Sequence, residues 1–523
     1  MTGQADARRA GEVEADGICL AVDLGTGGPK VGFVRLNGEL LWDDHRLVET
    51  RWLPDGGATQ DAAEWWELIC DAVRRGLASG AVPARDVVAV ACTGQWASTV
   101  PVDERGEPVG DCIMWMDSRG GVYSKATIGG PVAGYAPRRA IHWVRKTGGA
   151  PSPTGNDPIG HMLYLQHAEP ELSARARWFL EPVDYLTLRF TGVAAASHAS
   201  MIAGWLTDNR RLDRLEYDEA LLALSGVDAT KLAPLVPTGS VVGTVLPDVA
   251  RALGIPDAAR VVTGVPDLHS AACGAGAIRD FETHLAVSTS SWIGAPVPFK
   301  KTDARRSIVS VPGLSSSGYV IADNHESGGL CLQWLRDTLF PGSGFDELTA
   351  LAASASPGAG GVIFTPWLNG ERSPVYDRRA RAGFHNVSIN TRPEDLVRAV
   401  LEGVAYNDRW LHEAVESFAK QRLDPIRIVG GGSQSDLWCQ IHADVLDRVV
   451  ERVGHSVNAH LRGAAIFAGL SLGALSAAEV RDAAPVETTF RPDPATRERY
   501  DRLYAEFPQL YKAQRRMFAR LNA

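Results

Sequence analysis

The chain has 523 residues, 53 of them basic and 62 acidic, for a formal net charge of -9, with 45% hydrophobic and 22% charged residues. That length holds more than one ordinary domain, and the acidic balance argues against a nucleic-acid backbone or an anionic membrane as main partner while allowing a local basic pocket for a phosphorylated ligand. Seven scattered cysteines without a CxxC pair fit a reducing, cytoplasmic compartment and give no metal signature, and no apolar run is long enough to span a bilayer.

Residues 1–16 are charged, carry no secretory apolar run and are expected to be a disordered tail. From Gly17 the stretch "ICLAVD" reads as a strand buried on both faces. A turn "GTGG" and a second strand "KVGFVRL" follow, then Asn37-Gly38, a strong hairpin signal, and "ELLW". Asp61, with Glu64 three residues on, predicts the N-cap of a helix over "AAEWWELICDAVRRGLASG". "DVVAVACTGQWASTVPVDERG" reads as strand, loop, strand and turn, so strands alternate with helices in an α/β layer. Residues 148–160 are Gly/Pro-rich and read as a loop, followed by a helix over "HMLYLQHAEPELSARAR". "RVVTGVPDLHSAACGAG" and "THLAVSTSSWIGAPV" repeat the logic of the opening: an apolar strand, then an acid or a Ser/Thr-rich turn. "DPIRIVGGGSQSDLWCQIHADVLDRVV" reads as strand, triple-glycine turn and helix. The closing segment is an amphipathic helix through Tyr500, Leu503, Tyr504, Phe507, Leu510 and Tyr511, interrupted near Pro508, with its basic residues on a solvated face.

Several of these turns carry chemistry. After Asp23, the residues Gly25, Thr26 and Gly27 expose backbone N–H groups that can converge on phosphate oxygens, Thr26 adds a hydroxyl, and Asp23 can organise a magnesium ion through water. A tight hairpin with Asp23 capping its own backbone reads equally well from this stretch alone. No "GK" dipeptide occurs, which excludes a Walker A loop, and no GxGxxG follows the first strand. The second hairpin, at 288–291, and the triple glycine at 430–432 together suggest a nucleotide gripped by two related halves. Asp267, at the end of an apolar strand, can accept a proton from an alcohol that attacks phosphorus, or can cap the next helix. "GQWAS" and "WMDSR" mix aromatic rings with polar donors, as sugar sites do, although Trp also fills cores. Glu371 and Arg372 read as an ion pair bracing a loop. His269 and His325 have no partner His at ligand spacing, and no GxSxG elbow supports a serine hydrolase.

The ordered set "AVDLGTGGPK", "WMDSR", "GVPDLHSAACGAG", "STSS", "NGERSP", "GFHNVSINTRPEDLVRAVLEG" and "IVGGGSQSDLWCQIHADVL" resembles the FGGY carbohydrate kinases, above all their xylulokinase branch, over residues 18–510. The resemblance implies two actin-like (ribonuclease H-like) α/β domains with an interdomain ATP and sugar cleft: an N-terminal sugar-binding domain over 17–267 and a C-terminal nucleotide-binding domain over 268–523. It makes Asp267 the catalytic base and a sugar contact. It assigns Asp23, Gly25, Thr26 and Gly27 to the first phosphate loop, with Asp23 on Mg2+, and Thr289 and Ser290 to the second. Gly431, Gly432 and Ser435 fall in the adenosine loop, and Trp334 where some members place a nucleotide-contacting tryptophan. Gln95, Trp96, Asp117 and Arg119 fall among the sugar contacts.

Two departures lie in the substrate pocket. Leu268 stands where xylulokinases carry Asn, and Gln95-Trp96 where they carry Met-His. Pro29 is unusual beside a phosphate turn because it offers no N–H. The expected function is ATP-dependent phosphorylation of a ketopentose hydroxyl by a possible homodimer. The alternatives are a kinase for a tetritol or pentitol and a non-catalytic ATP-binding protein of the same fold.

Overall fold

The computed structural model describes residues 13–132, 134–315 and 317–522. Most of the expected tail lies outside the described residues, but its last residues form a turn. There the Gly17 N–H donates to the Glu14 carbonyl at 3.0 Å and the Asn37 N–H to the Ala15 carbonyl at 3.0 Å.

Two compact units result. The first takes residues up to Gly276 together with Val311–Gly318 and His460–Ala483; the second takes Ala277–Ser310, Tyr319–Ala459 and Ala484–Ala523. The division therefore falls after Gly276 rather than at 267/268, and a late segment returns to the first unit.

In the first unit the opening meander forms as its residues dictate: β1 (Ile18–Gly25), β2 (Gly28–Arg35) and β3 (Leu40–His45). Asp61 caps α1 (Ala62–Ala78), accepting the Ala63 N–H at 2.8 Å. The helix lays Trp65, Ile69 and Val73 onto the sheet, each side chain contributing about 1.5–3 kcal/mol when fully buried. Gly76 on that face lets the helix approach, since a Cβ would strike the rings of Phe33 and Trp42. Then come β4 (Val87–Gly94), β5 (Val241–Thr244), β6 (Arg260–Val262), the two-residue β7 (Val265–Pro266) and α2 (Asp267–Gly274). The sheet order is β5-β6-β4-β1-β2-β3, with β7 also on β4. The pairs β1/β4, β6/β4 and β7/β4 are parallel. The helix expected after residue 160 starts at Pro158 and breaks into Pro158–Ala168 and Pro170–Arg175, because Pro170 cannot continue the first and opens the second.

The second unit repeats the plan with β8 (Thr283–Val287), β9 (Ser291–Val297), β10 (Tyr319–His325), α3 (Pro393–Ala419), β11 (Ile426–Val429), α4 (Asp436–Leu446) and β12 (Val450–Val453). After α5 (Ala459–Ser471), which belongs almost wholly to the first unit, come β13 (Val486–Phe490) and α6 (Arg497–Leu521). Six strands of its eight-stranded sheet run β10-β9-β8-β11-β12-β13, with β13 at one edge. The expected interruption at Pro508 is absent, and α6 passes through it unbroken. Proline costs the Tyr504 carbonyl its intrahelical donor, but the apolar stripe around it is anchored: Phe507 packs edge-on against Trp367 at 5.6 Å and Tyr500 against Tyr406 at 6.2 Å. Among the described residues no helix is long and apolar enough to cross a membrane.

Candidate active site

Three parallel strand ends build a site in the first unit. Asp23 stands opposite Thr93 and Leu24 opposite Gly94 in β1/β4; Val265 stands opposite Thr93 and Pro266 opposite Gly94 in β7/β4. Asp23, the turn after Gly94 and Asp267 thus lie side by side at the C-terminal ends of these parallel strands, where open α/β sheets take ligands. Gly94 is needed there: its φ is +149°, and a Cβ would strike the Leu24 backbone. The Gln95 N–H then donates to the Leu24 carbonyl at 2.8 Å. Thr93 Oγ1 donates to Ser270 Oγ at 2.9 Å, and Ser270 Oγ donates to the Asp267 carbonyl at 2.9 Å, so the first turn of α2 is tied to β4.

Thr26 and Gly27 form the tip of the first hairpin, between the paired Gly25 and Gly28. Gln60 Nε2 donates to the Thr26 carbonyl at 2.7 Å, Trp115 Nε1 donates to Thr26 Oγ1 at 3.0 Å, and that hydroxyl donates to Gln95 Oε1 at 3.4 Å. Gln95 Nε2 is buried without a hydrogen-bond partner among the described residues, an amide donor aimed beside the hairpin tip. Pro29 lies outside the turn: it pairs with Leu24 in the β1/β2 ladder and its carbonyl accepts the Arg46 N–H at 2.9 Å. Its missing N–H is therefore subtracted from the ladder, and the turn residues keep theirs.

His460 has no local signature in the chain. Helix α5 crosses α2 at Gly463, where a Cβ would collide with the Ser270 carbonyl, so the close approach requires glycine. His460 and Asp267 each lie three residues before that crossing, on the same face of their helices. His460 Nδ1 comes to 3.4 Å from Asp23 Oδ2, and Lys30 Nζ to 3.7 Å from the same oxygen. Burial alone would raise the Asp23 carboxyl, but His460, Lys30 and His45 outweigh it and hold Asp23 below the usual range. Burial pushes Asp267 up to about 6; His460 and the Leu268 N–H, 2.8 Å from Oδ1, pull it back, and Asp23 pushes it further up. His460 itself would be lowered by burial, yet Asp23 and Asp267 raise it. Two neighbouring carboxyls with pKa values driven apart have the form of a metal-organising acid beside a proton acceptor. Among the described residues no cluster of three or more His, Cys, Asp or Glu could hold a metal by itself. The hard oxygens of Asp23 suit magnesium, which keeps much of its water shell and takes phosphate oxygens.

The other sugar-contact candidates divide. Trp96 is half-buried next to Gln95. Asp117 is closed on itself: it accepts the Ala58 N–H at 2.8 Å and Arg119 Nη2 at 2.7 Å. Arg119 also donates to the Tyr164 hydroxyl at 3.1 Å. This pair braces its loop, and Trp115, two residues earlier, is the member that reaches the hairpin.

In the second unit Ala286 of β8 pairs in parallel with Val429 of β11, so the turns at 288–290 and 430–432 leave neighbouring strand ends. The carbonyls of the first turn are taken: Thr289 accepts the Gly328 N–H at 2.9 Å and Ser288 the Gly329 N–H at 2.6 Å. The Thr289 side chain stays exposed and Ser290 half-buried. The three glycines have different reasons. A Cβ at Gly430, whose φ is +90°, would strike Val287 and Ser288, and one at Gly432 would strike Val287, whereas one at Gly431 would meet nothing within 4 Å. Gly431 therefore presents bare, open backbone. Ser435 Oγ caps α4, accepting the Trp438 N–H at 3.2 Å, and Trp334 stacks on Phe364 at 6.2 Å.

Glu371 and Arg372 form no ion pair; the contact between them is the Arg372 backbone N–H donating to Glu371 Oε1 at 2.8 Å. Arg372 Nε meets Glu326 at 3.0 Å, while Glu371 Oε2 faces His325 at 3.2 Å and accepts from Asn407 Nδ2 at 2.6 Å. Asp408 completes the network, accepting Ser291 Oγ at 2.7 Å and lying 3.0 Å from His442 Nε2. Ser291 follows the Ser/Thr turn and His442 lies on the helix after the glycine turn, so this buried network fixes both turns together.

The N-terminal domain of the FGGY family of carbohydrate kinases matches residues 18–274, and its C-terminal domain residues 289–472. The chain is 27% identical over 516 residues to a xylulose kinase of Staphylococcus epidermidis, covering 96% of this chain and 98% of that protein. It is 24% identical over 446 residues to a gluconokinase of Bacillus subtilis, covering 82% and 83%. The fold matches the ligand-bound xylulose kinase structure from Lactobacillus acidophilus with a TM-score of 0.84 at 21% identity, over 96% of this chain and 99% of that one.

Proposed function

Since the chain belongs to the FGGY family of carbohydrate kinases, and is therefore a sugar kinase that uses ATP, we propose that it phosphorylates a hydroxyl of a xylulose-like ketopentose with Asp267 as general base. The observation that carries this reading is the convergence of Asp23 and Asp267 at the ends of β1 and β7, on either side of β4. Asp267 accepts the hydroxyl proton as the sugar oxygen bonds to the γ-phosphorus and the β–γ bridging bond to ADP breaks. A carboxyl with its pKa near 6 is ionised at neutral pH and is a better proton acceptor than an unperturbed one. Asp23 would help to hold a Mg2+ ion, which would supply charge neutralisation at the phosphates. Lys30 and His460 fix the Asp23 carboxylate. Backbone N–H groups at Thr26 and Gly27 receive phosphate oxygens, and the spare amide of Gln95 donates to the sugar or to the transferred group. In the second unit Thr289 and Ser290 serve the phosphates, and the open backbone at Gly431 serves the adenosine.

Ketopentose is supported by the xylulose kinases among the relatives; Leu268 and the Gln95-Trp96 pair favour a kinase for another polyol as the second reading. A coupled ADP-release screen over ketopentoses, pentitols, tetritols, gluconate and glycerol separates them. The highest kcat/KM is expected for a ketopentose. A silent ketopentose with an active alditol or gluconate would overturn the substrate assignment. Tight ADP binding with no acceptor-stimulated turnover would overturn catalysis altogether.

A further inference from the structure

The basic residues of the closing helix read from sequence as a solvated face, but the second unit turns two of them into a wall. A groove of about 700 Å³ is lined by Arg305 and Arg306, by Tyr376 from the loop after Glu371, by Trp410 of α3, and by Lys512 and Arg515 of α6. Glu413 is the acid among its lining residues, and its oxygens are engaged: Arg409 Nε donates to one at 2.9 Å and the Tyr504 hydroxyl to the other at 2.7 Å. Arg306 is half-satisfied, 3.6 Å from Asp303 and 3.3 Å from Ser417 Oγ. Arg305, Lys512 and Arg515 have no carboxylate at ion-pair distance among the described residues.

Cations gathered in one concavity repel one another until an anion neutralises them, and this happens in a chain whose net charge is -9. Guanidinium forks match phosphate oxygens in geometry, and ammonium groups add point charge. The groove is not uniformly polar, however. Tyr376 is 63% exposed on its rim, and Trp410 is half-buried. A ring or carbon skeleton can lie on these faces while its anionic groups meet the cations, and the volume is that of a small-molecule site. None of the groove residues belongs to the turns at 288–290 or 430–432.

We propose that this groove is a second ligand site, separate from those turns, for a small organic phosphate carrying two or more negative charges. The proposal does not depend on the phosphotransfer reading, because its test reads binding alone. The full chain is titrated calorimetrically with phenyl phosphate, with inorganic phosphate and, separately, with ADP. Phenyl phosphate is expected to bind saturably and more tightly than inorganic phosphate. The Lys512→Gln/Arg515→Gln double variant, altered only at exposed side chains, is expected to weaken it about tenfold, with ADP affinity unchanged. Tyr376→Ala is expected to remove the preference for phenyl over inorganic phosphate. Unchanged phenyl phosphate affinity in the double variant would overturn the site. A parallel loss of ADP affinity would overturn its separateness, and equal wild-type affinity for both phosphates would overturn the organic class.

Discussion

In the first unit Asp23 and Asp267 stand at strand ends, with Gln95 Nε2 beside them lacking a hydrogen-bond partner among the described residues. In the second unit Glu371 and Asp408 stand inside the core with both oxygens of each claimed: Glu371 by the Arg372 N–H and Asn407, Asp408 by Ser291 and His442. A buried carboxylate that accepts a protein donor on each oxygen is fixed within the core and acts by holding its neighbours. A carboxyl at an edge, flanked by unfilled donors, keeps capacity for substrate or metal. On the proposed reading, Asp23 and Asp267 of the first unit carry the chemistry, and Glu371 and Asp408 of the second hold the turns at 288–290 and 430–432 in place.

The second-unit network leans most heavily on His325, which faces both Glu371 and Asp408. Burial would lower its pKa, but Glu371, Asp408 and Asp323 push it up to about 9. His325→Ala leaves those carboxylates without their counter-charge and should lower unfolding stability by about 3–5 kcal/mol, read by denaturant titration at pH 7. Because the folded pKa is raised, the contribution is complete below the unfolded value near 6.5 and is lost as pH rises through about 9. The gap between variant and wild type should therefore narrow in alkaline buffer, and a gap independent of pH would mean that His325 acts through packing alone.

Asp267 has the opposite sign. Its carboxyl is raised to about 6, so the folded state loses stability as pH rises from about 4 through 6, when the buried group ionises. Asp267→Asn should be more stable than wild type by about 1–3 kcal/mol at pH 8, with the difference vanishing below about pH 4. A destabilised variant would mean that Asp267 holds α2 rather than serving a reaction. His460→Gln is expected to move the acidic limb of kcat/KM upward, since His460 pulls the Asp267 pKa down; an unmoved limb would detach His460 from the base. The smallest effect belongs to the glycine turn. Gly431→Ala should change stability by less than about 0.5 kcal/mol and weaken ADP severalfold, whereas Gly430→Ala should cost more than about 1 kcal/mol. Equal stability losses would remove the distinction between an open and a packed glycine.

Much of this was legible in the chain because it is local. The Asp61 cap, the Asn37-Gly38 turn and the two hairpins with their acids and hydroxyls each depend on residues close in sequence. What was not legible depends on distant contacts. His460 reaches Asp23 only because Gly463 lets α5 lie against α2. Glu371 chose His325 and Asn407 over its neighbour Arg372 because burial favours a partner already inside the core. Asp117 and Arg119 pair with each other, and the hydroxyl of Ser435 caps a helix. Pro508 stayed within α6 because aromatic packing outweighs one lost backbone bond. The basic side chains of that helix looked like a solvated face until the turn at Arg305 and Arg306 was set against them.

Acceptor-stimulated ADP release by Asp267→Asn at pH 7.5 is the sharpest test of Asp267 as the base of a carbohydrate kinase. Turnover should fall by about 10²–10⁴-fold with ADP affinity and fold retained. Turnover within a few-fold of wild type would contradict it.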